Sequence, residues 1–271
     1  MKPRWWLTAL MAAGSLTVLV PLYFTVVTAL KTPAELAGAG FDLPDSPAWG
    51  NFAQAWELTN YPKAALNSAL ITVGAVALTL LTNSMVAYAI ARNFRRRLFK
   101  GLYYYFVSAL FVPFPIIMLP VIKQTSLLGM DNQAGLILLY VVYGLAFNIF
   151  LYVGYIRSIP VSLEEAARVD GAGTWTVFWR VIFPLLAPMN ATVGILTFLW
   201  AWNDFLLPLV VLSSPDAQTL PLVQYVFQAQ FNTDHTLAFA SYLMALAPVL
   251  LVYLFAQRWV ISGVLRGSVK G

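Results

Sequence analysis

Two stretches of the sequence concentrate side chains able to do chemistry. In the first, Pro160 is followed by Ser162, the paired carboxylates Glu164 and Glu165, Ala166, Ala167, Arg168, Asp170 and the glycines Gly171 and Gly173, before Val181-Ile182-Phe183-Pro184. Pro160 stops whatever helix precedes it. Ser162 with Glu165 three places on has the spacing of a capping box, which predicts a short helix starting at Ser162. Gly171 and Gly173 end it. Thr174 can cap a second helix, and the spacing of Trp175, Phe178 and Trp179 puts them on one face. A short capped helix bearing charge and close-approach alanines is a docking element, because it is stiff enough to transmit a push. In the second stretch, Leu199-Trp200-Ala201-Trp202-Asn203-Asp204 sets an amide, a carboxylate and two indoles inside an apolar run. Amides, acids and aromatic rings together suit a sugar, by hydroxyl partners and a face to stack on. The same groups also serve helix–helix hydrogen bonding and packing. The other polar candidates singled out within apolar runs are Asn67, Asn83, Asn148, Asn190 and Tyr242. Acid-base and metal chemistry is poorly supplied: there is no cysteine and one histidine, His235.

The elements that must position these groups follow from composition. Of 271 residues, 60% are hydrophobic and 10% charged, with a mean hydropathy of +0.75. Soluble domains run at ~45–50% and ~25%. A soluble globule of this size cannot hide so much apolar side chain. Six runs are long enough for the ~20 residues that cross ~30 Å of hydrocarbon. They cover about 5–30, 64–91, 101–122, 132–156, 181–212 and 236–257. The docking region, about 161–180, lies between the fourth and fifth. Pro113, Pro115 and Pro120 break the third, at the least as a static kink. The first run exceeds the ~7–15 apolar residues of a signal-peptide core and reads as a retained helix. The expectation is an all-α membrane protein with six transmembrane helices in one domain, 1–271.

Basic residues set the orientation. Thirteen of the sixteen lysines and arginines fall at the termini or in the connections after the second, fourth and sixth runs; only Lys31, Lys63 and Lys123 fall on the other side. The positive-inside rule makes the rich side, with both termini, cytoplasmic. The net charge of +5 is therefore an orientation signal helped by anionic lipid, and needs no nucleic acid.

Glu165-Ala166-Ala167, Gly171 four places later and Val181-Ile182-Phe183-Pro184 resemble the EAA motif of ABC-importer permeases, with conservative departures at Val181 and Phe183. The wider 164–188 string is similar to the carbohydrate branch, in particular the maltose-type second permease subunit. The resemblance extends over nearly the whole chain. It implies a type I importer fold with a cytoplasmic coupling helix docking on an ATPase dimer through Glu164, Glu165, Ala166, Ala167, Asp170 and Gly171. Glu165 would pair with an ATPase arginine or act within the capping box. The glycine-bearing end, Gly267, Ser268, Val269, Lys270 and Gly271, resembles a finger between the two ATPase subunits, against the plainer reading of a basic tail at the lipid surface. Trp200, Asn203, Asp204 and Tyr242 are the substrate-pathway candidates, although in maltose-type systems the sugar site resembles a property of the other permease. The implied partners are a second permease forming a heterodimer, the ATPase, an extracytoplasmic sugar-binding protein and lipid. The implied location is a bacterial inner membrane.

No G-x-x-x-x-G-K-[ST] loop is present, so ATP and magnesium belong to the partner ATPase and the chain binds no cofactor of its own. The chain reads as a transport subunit and not an enzyme, carrying an oligosaccharide. An ion-driven secondary transporter is the alternative; it calls for buried acids and internal repeats, and only Asp204 lies within a run. An ABC importer for a non-sugar solute such as glycerol phosphate is the other.

Overall fold

The computed structural model describes residues 5–38, 41–230 and 234–268, with side chains for 5–38, 41–225 and 234–254. The described residues are helical with no strand. In chain order the helices are α1 (Trp5–Ala29), α2 (Pro33–Gly38), α3 (Gly50–Leu58), α4 (Tyr61–Arg92), α5 (Arg97–Ser108), α6 (Phe114–Leu127) and α7 (Gln133–Ile156). They continue with α8 (Ser162–Val169), α9 (Thr174–Val177), α10 (Phe183–Leu185), α11 (Ala187–Asn203), α12 (Leu206–Val211), α13 (Leu220–Gln230) and α14 (His235–Ser268). Contacts divide the chain into two compact units. One comprises the chain up to Ala65 with Thr219–Leu250, the other Leu66–Gln218 with the chain after Leu250.

Four helices are long and apolar enough to cross a membrane: α1, α4, α7 and α14 as far as Leu254. Two bent pairs pass the same test together, giving up to six crossings. Large apolar side chains such as Met11, Val18, Phe111 and Leu119 are exposed. That surface would aggregate in water and is at home in lipid.

The bent pairs show the expected break in the third run and correct the expectation of a continuous fifth. In the third run the chain turns by 105° between Arg97–Phe111 and Phe114–Leu127. Val112 is extended (φ −94°, ψ 106°) because the ring of Pro113 excludes the helical conformation from the residue before it. Pro115 sits in the first turn of α6, where its missing N–H costs nothing, and Pro120 stays inside that helix. In the fifth run, Thr174–Leu185 and Ala187–Asn203 meet at 75°. Pro184 would clash with the carbonyl four residues back, at Arg180, and the chain widens there into a π-turn over Phe178–Ile182. The wide turn also alters the expected face. Phe178 is buried while Trp175 and Trp179 are exposed, so the three do not share one side. The fifth run breaks again at Asp204, which is extended (φ −73°, ψ 132°) between α11 and α12.

The main core lies in the second unit. It joins the C-terminal ends of α4 and α7 to the π-turn through Tyr88, Ile149, Tyr152, Ile156, Phe178 and Ile182. In the first unit, Ala29, Ala55 and Ala240 pack together, and Phe24 meets Phe239 edge-on at 5.6 Å. There Thr32 and Glu35 form a reciprocal capping box at the start of α2. The Thr32 N–H donates to Glu35 Oε2 at 2.7 Å, and the Glu35 N–H to Thr32 Oγ1 at 3.3 Å. The Thr32 and Asp45 amides and the Thr32 hydroxyl hold the Glu35 carboxyl below the usual carboxylate range.

Candidate functional site

The short helix α8 is fastened within the second unit by one buried carboxylate, with Ala167 packed against the main core. Glu164 is 1% exposed. Its Oε1 accepts from Arg92 Nε at 2.5 Å, and its Oε2 from the Tyr88 hydroxyl at 2.7 Å. Arg92 is the last residue of α4 and also donates to the Ile159 carbonyl at 3.2 Å, so one guanidinium joins α4, the chain after α7, and α8. Arg168 reaches the same carboxylate from one turn on, at 3.8 Å and mostly exposed. A charge-assisted pair this buried is strongly directional. Nearby, Arg157 lies 4.6 Å over the ring of Phe94.

The far end of α8 is closed by backbone geometry. Gly171 has φ +84°, a left-handed conformation that glycine adopts without strain. The Gly171 N–H donates to Arg168 O at 3.0 Å and the Ala172 N–H to Ala167 O at 2.9 Å. This is the paired bonding of a Schellman ending. The expected capping box at Ser162 is not formed. Val161 holds the cap position in helical conformation, with no side-chain bond. The Glu164 and Glu165 N–H groups instead donate to the Val161 carbonyl, which leaves Glu165 outward. Glu165, Ala166, Asp170 and Gly171 are exposed and Ala167 is half-buried. Val169 is 87% exposed and Leu163 is exposed too, leaving an apolar surface opposite the Glu164 anchor.

The second constellation gathers where α7 faces α11. Asp204 Oδ2 accepts from the Tyr140 hydroxyl at 3.1 Å, and Oδ1 accepts from the Leu206 N–H at 3.0 Å. The carboxylate thus caps α12 across the break and holds Tyr140, whose ring meets Trp200 edge-on at 5.2 Å. Trp200 is 40% exposed. Asn203 is turned aside, donating to Leu199 O at 2.7 Å. Tyr242 belongs to the other unit and packs on Leu237 and Ala238. No group of three or more His, Asp or Glu able to hold a metal occurs among the described residues.

Residues 83–266 match the family described as binding-protein-dependent transport system inner membrane component. The chain belongs to this family. It is therefore a multi-pass transport subunit of ABC importers rather than an enzyme, which decides against the ion-driven alternative. The permease is 39% identical over 270 residues, 98% of its own length and 96% of the relative's, to the multiple sugar-binding transport system permease protein MsmG of Streptococcus mutans. It is 33% identical, over 98% of its length and 97% of the relative's, to the probable starch degradation products transport system permease protein AmyC of Thermoanaerobacterium thermosulfurigenes. Its fold is similar to a chain of a bacterial ABC transporter involved in import of the acidic polysaccharide alginate. The TM-score is 0.79 with 25% identity, over 93% of this chain and 94% of that one. The all-helical architecture is the type I importer permease fold.

Sequence reasoning found α8 in this permease but not its anchor. Tyr88 and Arg92 lie about seventy residues away in sequence, at the end of a transmembrane run, where Arg92 reads only as an orientation charge. The adjacent acids Glu164-Glu165, which a helix points in different directions, are the signal that was available. At the other end of the chain, Val269, Lys270 and Gly271 lie outside the described residues, and Gly267 and Ser268 end the helical backbone of α14.

Proposed function

We propose that this chain is one permease subunit of a heterodimeric, ATP-driven bacterial importer for an oligosaccharide, with both units forming one transmembrane permease domain. An extracytoplasmic binding protein delivers the sugar. ATP and magnesium are bound by a cytoplasmic ATPase dimer, on which α8 docks. Both termini are cytoplasmic, and residues 267–271 contact the same dimer. The sugar assignment is supported by the sugar and polysaccharide transport systems to which the relatives and the fold neighbour belong.

The observation that carries the coupling role is the two-sidedness of α8. Its inner side is locked to the end of α4 by the buried Glu164–Arg92 pair, and its outer side leaves Leu163, Glu165, Ala166 and Val169 open. A push on that outer side reaches α4 through an ion pair and a hydrogen bond instead of being lost in a loop. The chain has no cysteine, so single thiols test the reading. Ala166→Cys is expected to cross-link to the ATPase in the assembled importer. Arg96→Cys is expected to resist a membrane-impermeant thiol reagent added outside cells. Cross-linking of Ala166→Cys to the binding protein, or external labelling of Arg96→Cys, contradicts it.

A further inference from the structure

The turn between α4 and α5 gathers four cations that nothing in the described chain neutralises. Arg95, Arg96, Arg97 and Lys100 are all exposed, and none forms an ion pair with an acid among the described residues. Their basic neighbours are engaged: Arg92 is held by Glu164, and Arg157 lies over the ring of Phe94. No Asp or Glu occurs between Glu57 and Asp131, so α4, α5 and α6 carry no acid at all. The turn is also fixed. The Arg96 N–H donates to Asn93 O at 2.8 Å, Asn93 Nδ2 donates to Ala89 O at 2.9 Å, and Phe94 meets Tyr103 of α5 edge-on at 5.3 Å. Four like charges held close together repel one another, and an anion seated among them offsets that repulsion.

Helix α5 has two faces. Phe99, Leu102, Tyr103 and Phe106 pack against the main core. At about 100° per residue, the opposite face carries Arg97, Gly101 and Tyr104, flanked by Leu98, Lys100 and Tyr105, and all six are exposed. A Cβ on Gly101 would meet nothing within 4 Å. Packing within the chain therefore does not call for glycine there, although glycine weakens a helix interior; what it leaves is a notch between the cations and the tyrosines. Along α5 the outward face runs from cations to phenols to the exposed Leu110 and Phe111. Arg97 and Tyr104 are about 10 Å apart along the axis, comparable with the ~5–8 Å headgroup layer beside the hydrocarbon, where tyrosines anchor. A phospholipid presents the matching order of phosphate, glycerol ester and acyl chain. An acidic protein surface or a free phosphate would meet the cations and leave the rest of the face unmatched.

We propose that the α4–α5 corner seats the headgroup of an anionic phospholipid of the cytoplasmic leaflet, with Arg95, Arg96, Arg97 and Lys100 on the phosphate and Tyr104 and Tyr105 beside the glycerol. The proposal rests on the cytoplasmic orientation proposed above. In the test, the complete importer, co-purified with its other subunits in detergent, is titrated with phosphatidylglycerol and with phosphatidylcholine, and bound lipid is counted by native mass spectrometry. Wild type is expected to retain phosphatidylglycerol in preference. Each cation beside an anionic headgroup contributes about five-fold. Arg96→Gln or Arg97→Gln should therefore lower that preference by about five-fold, and glutamine at all four positions should erase it. Arg96→Lys and Arg97→Lys, which keep the charge, should stay within about two-fold. All four side chains are exposed, so the variants should assemble and melt as wild type does. Arg180→Gln, which removes another exposed arginine, should leave the preference unchanged. Equal retention of the two lipids by wild type, or an undiminished preference in the fourfold variant, overturns the proposal. So does an equal loss in Arg180→Gln, the mark of diffuse charge. Displacement of the lipid by excess glycerol phosphate assigns the cations to a soluble phosphate, and cross-linking of Arg96→Cys to the ATPase assigns them to a protein; either result overturns the lipid seat. External labelling of Arg96→Cys instead refutes the orientation on which the proposal rests.

Discussion

Replacing Arg92 by methionine keeps the unbranched stem of the side chain at the end of α4 and removes the guanidinium with its charge. Glu164 is then buried with only the Tyr88 hydroxyl and the distant Arg168 for company. Breaking a buried ion pair by removing one partner costs ~3–5 kcal/mol. The Arg168 limb, exposed and 3.8 Å away, is worth ~0–1 kcal/mol and cannot replace it. A loss near 3 kcal/mol lowers the ratio of docked to undocked α8 by roughly a hundredfold. Two readouts follow in the reconstituted importer. Amide exchange over 162–169 should accelerate by a factor of that order. Sugar molecules imported per ATP hydrolysed should fall, because an undocked α8 no longer carries motion to α4. Arg168→Ala should change neither by more than a few-fold. Replacing the whole set, Arg92→Met with Glu164→Met and Tyr88→Phe, leaves no orphaned polar group and should restore the slow exchange. If Arg92→Met shows wild-type exchange over α8 and wild-type coupling, the pair is not what holds the helix, and the reasoning fails.

Three further outcomes are expected. Gly171→Ala forces a side chain into φ +84°, costing about 1–2 kcal/mol; Gly171→Pro cannot reach that φ and also loses the bond to Arg168 O. Coupling should therefore fall modestly in the first and collapse in the second while both insert, as read by uptake per ATP. Asp204→Asn retains an oxygen for the Leu206 amide or the Tyr140 hydroxyl and should keep most uptake; Asp204→Leu loses both bonds and should lose uptake by tenfold or more, for roughly 1–3 kcal/mol of unmet hydrogen bonding. Equal uptake by the leucine variant counts against its positioning of Tyr140 and Trp200. The Glu35 carboxyl is held below its ordinary range, so its contribution is complete above the ordinary glutamate value of about 4.3 and is lost as pH falls through the lower folded value. Proteolysis of the 31–45 segment should accelerate only at that acid end, and Glu35→Gln should abolish the pH dependence.

Much of the fold was legible because lipid leaves a chain few options: long apolar runs must be helices, and the six runs match the four continuous helices and two bent pairs. The bends were harder to read. Three prolines in one run mark a break but not its angle; Pro113 fixes the residue before it in extended conformation and yields a full 105° turn. The π-turn before Pro184 has no signature in the 3.6-residue spacing, so Trp175 and Trp179 fell on the wrong side of Phe178. Capping spacing misled at Ser162 and Glu165, where the carbonyl of Val161 takes the amides, and went unread at Thr32 and Glu35, where the reciprocal bonds are made. At the site, exposed α8 was readable from local pattern. Its anchor and the Asp204–Tyr140–Trp200 relay were not, because each joins residues sixty or more positions apart.

We propose that this permease moves sugar by motion relayed from a partner ATPase. That coupling is tested most directly by uptake of labelled oligosaccharide into vesicles holding the complete importer and its binding protein. Uptake should require ATP on the ATPase side and persist when proton and sodium gradients are collapsed by ionophores. Uptake that continues without ATP and stops when an ion gradient is collapsed would contradict the account.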